Sequence, residues 1–131
     1  MKLILDTHTL IWLYQNAPNL SNPARETIDS QDNESFASMA ALWEMSIKMG
    51  LGKLEIGAPL EKFVAELLEN GIQILPIETS HVFRYETLPF HHGDPFDRMI
   101  VAQALTENFD IVSVDSILDA YLVNSPVKRI W

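Results

Sequence analysis

The sequence predicts an α/β sandwich built around a mostly parallel sheet. Three observations carry that reading. Short apolar runs alternate with segments of helical period along the whole chain, the pattern of strands joined through crossover helices. The 131 residues, 47% of them hydrophobic, suit one compact core and are too few for two. No repeat, low-complexity tract or interdomain linker divides the chain, so residues 1–131 read as a single domain.

Met1 to Asp6 is a short apolar strand that ends in an acid. After the Thr7-His8-Thr9 turn, Leu10, Ile11, Leu13 and Tyr14 recur at helical spacing. Ser21 is placed to cap a second helix, with Pro23 early in it and Asp29 near its end. Phe36 and Ala37 mark a second strand. Met39 to Met49 reads as a helix sending Leu42, Trp43, Ile47 and Met49 into the core, with Gly50 and Gly52 ending it. The next helix covers Pro59 to Leu68. Gly71 leads into a strand at Ile72-Gln73-Ile74-Leu75, closed by Pro76, and a short helix covers Ser80 to Tyr85. Asp94 as cap and Pro95 as first helical residue open a helix that runs to about Asn108. Its buried side is expected at Met99, Ile100, Val101, Ala104 and Leu105. Asp110 to Val114 is a strand, a brief helix passes through Leu118 and Tyr121, and Val127 to Trp131 forms a last strand at an edge.

Composition narrows the function. There is no cysteine, which removes disulfides, thiolate zinc sites and thiol nucleophiles. Asp6 interrupts the only N-terminal apolar run, so no export signal is read, and no stretch stays apolar long enough to span a bilayer. A cytoplasmic location is the expectation. Eighteen acidic residues face nine basic ones, a net charge of −9. That argues against holding nucleic acid through a broad basic surface, yet leaves room for a nuclease whose acids are neutralised by metal. The same surplus suits a partner with a basic segment. Gly50 and Gly52 form neither a dinucleotide fingerprint nor a Walker loop.

In a sheet of this kind, ligands gather beyond the carboxyl ends of the strands. Asp6 and Asp115 each follow a predicted strand directly, and Asp94 and Asp97 open the intervening helix three positions apart, where both can face one way. Glu44 sits among apolar and small neighbours, with Lys48 one turn on as its ion-pair alternative. Each acid has a local explanation: Asp6, Asp94 and Asp115 as caps, Asp97 at the third helical position. Their common placement makes the sharper case. Hard divalent cations take oxygen ligands, often one or two carboxylates with water and phosphate, and such a cluster serves in-line attack on a phosphodiester.

Several short motifs then stand in a telling order: Leu3-Ile4-Leu5-Asp6-Thr7-His8, Trp43-Glu44, Asp94-Pro95-Phe96-Asp97-Arg98 with Ala102-Gln103-Ala104, and Ser113-Val114-Asp115. The chain resembles a PIN-domain ribonuclease, and more narrowly the VapC-type toxin of a toxin–antitoxin pair. The likeness spans nearly the whole chain. It implies magnesium- or manganese-dependent RNA hydrolysis by an acidic centre matching Asp6, Glu44, Asp97 and Asp115. Asp94 matches an added acid of the branch with the Asp-Pro-Phe-Asp-Arg pattern and joins the metal-binding set. The likeness also implies a homodimer and a small antitoxin whose tail reaches the active site. Ser113 replaces the threonine of many relatives and keeps the hydroxyl.

The remaining polar and aromatic residues have two-sided readings. Thr7 either orients a carboxylate or caps its helix, and Ser38 reads as a cap. His8 reads as structural or solvent-facing. His91 and His92 make a polar connection with Gly93, with RNA contact or metal ligation as alternatives. Arg98 is assigned to ion pairing or phosphate, and Lys48 to Glu44 or substrate. Trp12, Tyr14, Trp43 and Phe96 read as packing residues. Two other functions compete: a receiver-like domain forming a phosphoaspartate at Asp6, which lacks a convincing partner lysine, and a non-catalytic module binding a basic partner through its acidic face.

Overall fold

The computed structural model describes residues 1–131. Five strands, β1 (Lys2–Leu5), β2 (Glu34–Ser38), β3 (Gln73–Leu75), β4 (Asp110–Val112) and β5 (Arg129–Ile130), form one sheet in the order β3-β2-β1-β4-β5. Every neighbouring pair is parallel. Seven α-helices connect them: α1 (Thr7–Gln15), α2 (Asn22–Asp29), α3 (Met39–Gly50), α4 (Leu60–Glu69), α5 (Thr79–Thr87), α6 (Pro95–Glu107) and α7 (Asp119–Leu122), with a 3-10 turn at Ser116–Leu118 before the last.

The sandwich follows from β1. Successive strand residues point to opposite faces, yet Leu3, Ile4 and Leu5 are all fully buried. Both faces are therefore covered, as parallel sheets require. Ile111 and Val112 repeat this on β4. The last strand lies at an edge as expected, with β3 at the other, and β5 is shorter than its sequence run, pairing only through Arg129 and Ile130.

Helix starts obey local chemistry. Asp6 accepts from the Thr9 amide, so α1 begins at Thr7 and absorbs the expected turn. Ser21 accepts from the Ala24 amide. Asp94 Oδ1 accepts from the amides of both Phe96 and Asp97, with Pro95 as first helical residue. At the far end of α6, Asn108 takes a left-handed conformation, φ 58°, which asparagine tolerates better than most.

Core assignments on two helices need correction. On α3, Leu42 is buried, joined by Ala41 and Met45, but Trp43 is 58% exposed and Ile47 38% exposed. Their apolar face is present and this molecule leaves it uncovered. On α6, Arg98 and Gln103 are buried beside Ile100, Val101, Ala102 and Ala104, while Met99 and Leu105 are only partly covered. Gln103 is accommodated because it accepts from Ser38 Oγ and donates to the Pro76 carbonyl; a buried amide needs such partners. No helix is long and apolar enough to cross a membrane.

Candidate metal centre at the carboxyl edge of the sheet

The carboxyl ends of β1, β2 and β4 deliver Asp6, Ser38 and Ser113 to one edge of the sheet. Asp6 is 4% exposed and closely held: Oδ1 accepts from the Thr9 amide at 2.9 Å, and Oδ2 accepts from Ser113 Oγ. The hydroxyl at position 113 thus fixes an acid 107 residues away, and in turn accepts from the Asp115 amide at 3.0 Å.

Glu44, also 4% exposed, projects from α3 into the same region. Thr7 Oγ1 donates to its Oε1 at 2.6 Å, and Lys48 Nζ reaches Oε2 at 2.7 Å. Each of these two residues thus realises one of its two readings. Thr7 orients a carboxylate, and Lys48 is the one-turn partner of Glu44. Removing Glu44 from water is offset by these two charge-assisted hydrogen bonds.

Asp97 carries the clearest electrostatic signature. Its carboxyl is raised from 3.8 to about 6, first by burial, then by the charge of Asp94, with Asp6 and Glu44 adding to it and a hydrogen bond from His92 opposing. Four acids from three separate stretches of sequence therefore share one field. Lys48 feels three of them, its pKa raised by Glu44 first and by Asp94 and Asp97 as well. Asp115 stands apart. It is exposed, it accepts from the Ile117 amide as a cap, and its charge acts on Arg129. The structure thus brings Asp6, Glu44, Asp94 and Asp97 together and leaves Asp115 at the rim.

No three carboxylate or histidine side chains close into a finished metal cage. The donor set is nevertheless chemically suited to a hard divalent cation: it is all carboxylate oxygen, and burial together with mutual repulsion raises one member to about 6. Magnesium in particular needs only one or two protein carboxylates, with water and phosphate completing its shell.

Around this centre, several side chains depart from expectation. Arg98 contacts neither acid nor open cleft. It is 5% exposed, donates to the Pro89 carbonyl at 2.9 Å and Tyr121 Oη at 3.0 Å, and lies over the rings of Phe90, Tyr85 and Tyr121. Its charge is spent on packing, which corrects the phosphate and ion-pair assignments. His92 is hydrogen-bonded to Asp97 Oδ2 at 3.3 Å, a contact the sequence did not reveal. His91 packs edge-on against Tyr121, and exposed His8 lies beside Trp12. Trp12 and Tyr14 are packing residues, against Trp131 and Phe63. The largest cavity, about 480 Å³, lies elsewhere: Ser35, Asn33 and Ile72 in its lining mark the amino ends of β2 and β3, and none of the five acids lines it.

The pattern of the PIN domain matches residues 3–121. Ribonuclease VapC22 of Mycobacterium tuberculosis (strain ATCC 25618 / H37Rv) is 25% identical over 130 residues, covering 98% of each chain. Among solved structures, VapBC2 from Rickettsia felis bound to a DNA fragment of its promoter superposes with a TM-score of 0.71 at 16% identity, covering all of both chains. VapBC-5 of Mycobacterium tuberculosis, a member of the VapBC family of toxin–antitoxin systems, gives 0.67 at 15% identity over 98% of this chain and 96% of that one. VapBC-1 from nontypeable Haemophilus influenzae gives 0.64 at 19% identity, with coverage of 98% and 96%. At these identities the structural likeness speaks to the fold.

Proposed function

The chain belongs to the PIN domain family, and from that premise we propose that it is a metal-dependent endoribonuclease, the toxin of a toxin–antitoxin pair. Residues 1–131 act as one nuclease domain. The observation that carries the reading is the convergence of Asp6, Glu44, Asp94 and Asp97 at the carboxyl edge of a parallel sheet, where burial first and the neighbouring charges second lift Asp97 to about 6. A merely structural cluster gains nothing from that repulsion; a cation-binding one is relieved by its ligand. A relative that is a named ribonuclease, aligned over 98% of both chains, supports RNA as the substrate.

Asp6, Glu44, Asp94 and Asp97 would hold Mg²⁺ or Mn²⁺, with Asp115 joining from the rim. When bound, such an ion supplies Lewis acidity, polarising the phosphate and lowering the pKa of water at neutral pH. The chain's own part is orientation. Ser113 and the Thr9 amide fix the two oxygens of Asp6, while Thr7 and Lys48 fix those of Glu44. Deprotonation of Asp97 above about pH 6 readies the site for a cation.

A homodimer is supported by the uncovered apolar face noted above. Trp43 and Val82 are both exposed and line one apolar groove with Ile77, Phe96 and Met99, a surface suited to a second copy. An antitoxin partner is supported by relatives that are VapBC complexes and by the net charge of −9, which favours a basic segment. The cytoplasm is the compartment that fits this role.

Purified protein should cleave RNA only with added Mg²⁺ or Mn²⁺, and Asp6→Asn or Asp97→Asn should nearly abolish cleavage. Failure across a broad panel, structured tRNA and rRNA included, would sink the proposal. Crystals soaked in manganese and measured at its anomalous edge would identify the ligands directly.

A further inference from the structure

Behind Asp97 runs a hydrogen-bonded chain that the acidic centre does not use. It starts at Arg98 Nη1, which donates to Tyr121 Oη at 3.0 Å. The His92 backbone amide donates to the same oxygen at 3.1 Å. His92 Nδ1 lies 2.7 Å from Tyr121 Oη, and His92 Nε2 lies 3.3 Å from Asp97 Oδ2. Asp97 Oδ1 receives no hydrogen bond from the protein.

Counting donors assigns the protons. An arginine never gives up its own, and a backbone amide only donates. Tyr121 Oη therefore accepts twice, and its single hydrogen is left to donate. The short contact to Nδ1 takes it, since the alternative acceptor, the His92 carbonyl, is 3.4 Å away. Nδ1 is then an acceptor, and the ring hydrogen sits on Nε2, facing Asp97. The foundation is rigid: Arg98 and Tyr121 are 5% and 6% exposed, and the guanidinium is stacked among aromatic rings.

We propose that His92 is a positioning residue for Asp97, locked by Tyr121 and Arg98 in the Nε2–H tautomer so that it donates to Oδ2 and leaves Oδ1 to the cleft. The inference rests on the metal-dependent reading of the centre. It gives the buried Arg98 a purpose: its charge sets the direction of a hydrogen-bond chain whose last member orients a ligand carboxylate. Partners of this kind, one step removed from a metal ligand, generally change affinity by about 10- to 100-fold when removed.

The wild-type chain tests the tautomer first. With ¹⁵N-labelled histidine, NMR of the metal-free protein should show His92 protonated on Nε2 and bare on Nδ1; the reverse assignment overturns the inference. The second measurement is Mn²⁺ affinity without RNA, read by electron paramagnetic resonance, on proteins whose melting curves show them folded. Tyr121→Phe and His92→Ala should each weaken binding about tenfold. His92→Gln, whose amide nitrogen reaches toward the Nε2 position, should recover most of it, and His92→Asn should not. Equal Mn²⁺ affinity in wild type and Tyr121→Phe removes the positioning role while the nuclease reading stands. A wild-type chain that neither binds Mn²⁺ nor cleaves RNA ends that reading, and this inference with it.

Discussion

Replacing Asp97 with asparagine should make the metal-free protein more stable while destroying its activity. In the folded chain the carboxyl titrates near 6, against 3.8 for an ordinary aspartate. The folded state therefore binds more protons than the unfolded state between those values, and stability falls as pH rises through that window. Below 3.8 the penalty is absent; above about 6 it is complete. At 1.36 kcal/mol per unit, the full penalty is roughly 3 kcal/mol. The side chain is 21% exposed, so solvent takes part of that. Asparagine also forgoes the favourable negative charge in the first turn of α6, about 0.3–1 kcal/mol. The amide keeps the volume and the acceptor oxygen for His92. The net gain expected for Asp97→Asn at pH 8 is about 2 kcal/mol, a rise of roughly 6–10 °C in Tm for a chain of this size. Near pH 4 the two proteins should melt together. Millimolar Mg²⁺ at pH 8 should then close the gap by stabilising the wild type more, because ligand binds only its folded state. Calorimetry in chelator and in Mg²⁺ measures all three. A variant no more stable than wild type at pH 8, or equally stabilised at pH 4 and pH 8, would show that the centre does not hold a buried, repelled carboxylate at Asp97.

Thr7→Val deletes the hydroxyl that donates to buried Glu44 at nearly constant volume; urea denaturation should show a loss of about 1.5–3 kcal/mol, and cleavage should fall with it. Arg98→Lys keeps the charge but not the planar fork that reaches Pro89 and Tyr121 at once, so a loss of roughly 2 kcal/mol is expected. RNA binding in chelator at equal folded concentration should be unchanged, since the guanidinium lies among aromatic rings and makes no direct contact in the cleft. Ser35 Oγ is buried without a hydrogen-bond partner. Ser35→Ala should therefore stabilise by about 1 kcal/mol, and a destabilised variant would mean that the hydroxyl has found a partner.

What the sequence disclosed was whatever is written locally. The start of α6 was legible because capping is a short-range grammar: Asp94 as cap, Pro95 first, Asp97 third. The parallel sheet was legible because β1 and β4 are apolar runs followed by acids. Arg98 was misread because nothing near it in sequence announces Tyr121; those rings arrive from α5, the loop after it and α7. Trp43 and Ile47 show a different limit. Periodicity identifies an apolar face, but whether the same molecule covers it depends on the tertiary packing. Asp115 was legible as an acid after a strand, while its separation from the field around Asp97 depends on how the chain turns after Val112. His92 could have been found by asking what holds Asp97, since a partly buried acid one turn into a helix invites a donor from the preceding loop.

The order of strands also has a bearing on synthesis. β1 is made first, yet its partner β4 comes more than a hundred residues later, and only then does Ser113 reach Asp6. A chain growing on the ribosome holds Asp6, Glu44 and finally Asp97 in succession, without the neighbour that locks the first of them. Its centre is assembled by the last third of the polypeptide. In a nuclease of this design the hydrogen bond from Ser113 to Asp6 would form only when the closing strands dock, after most of the chain has been made.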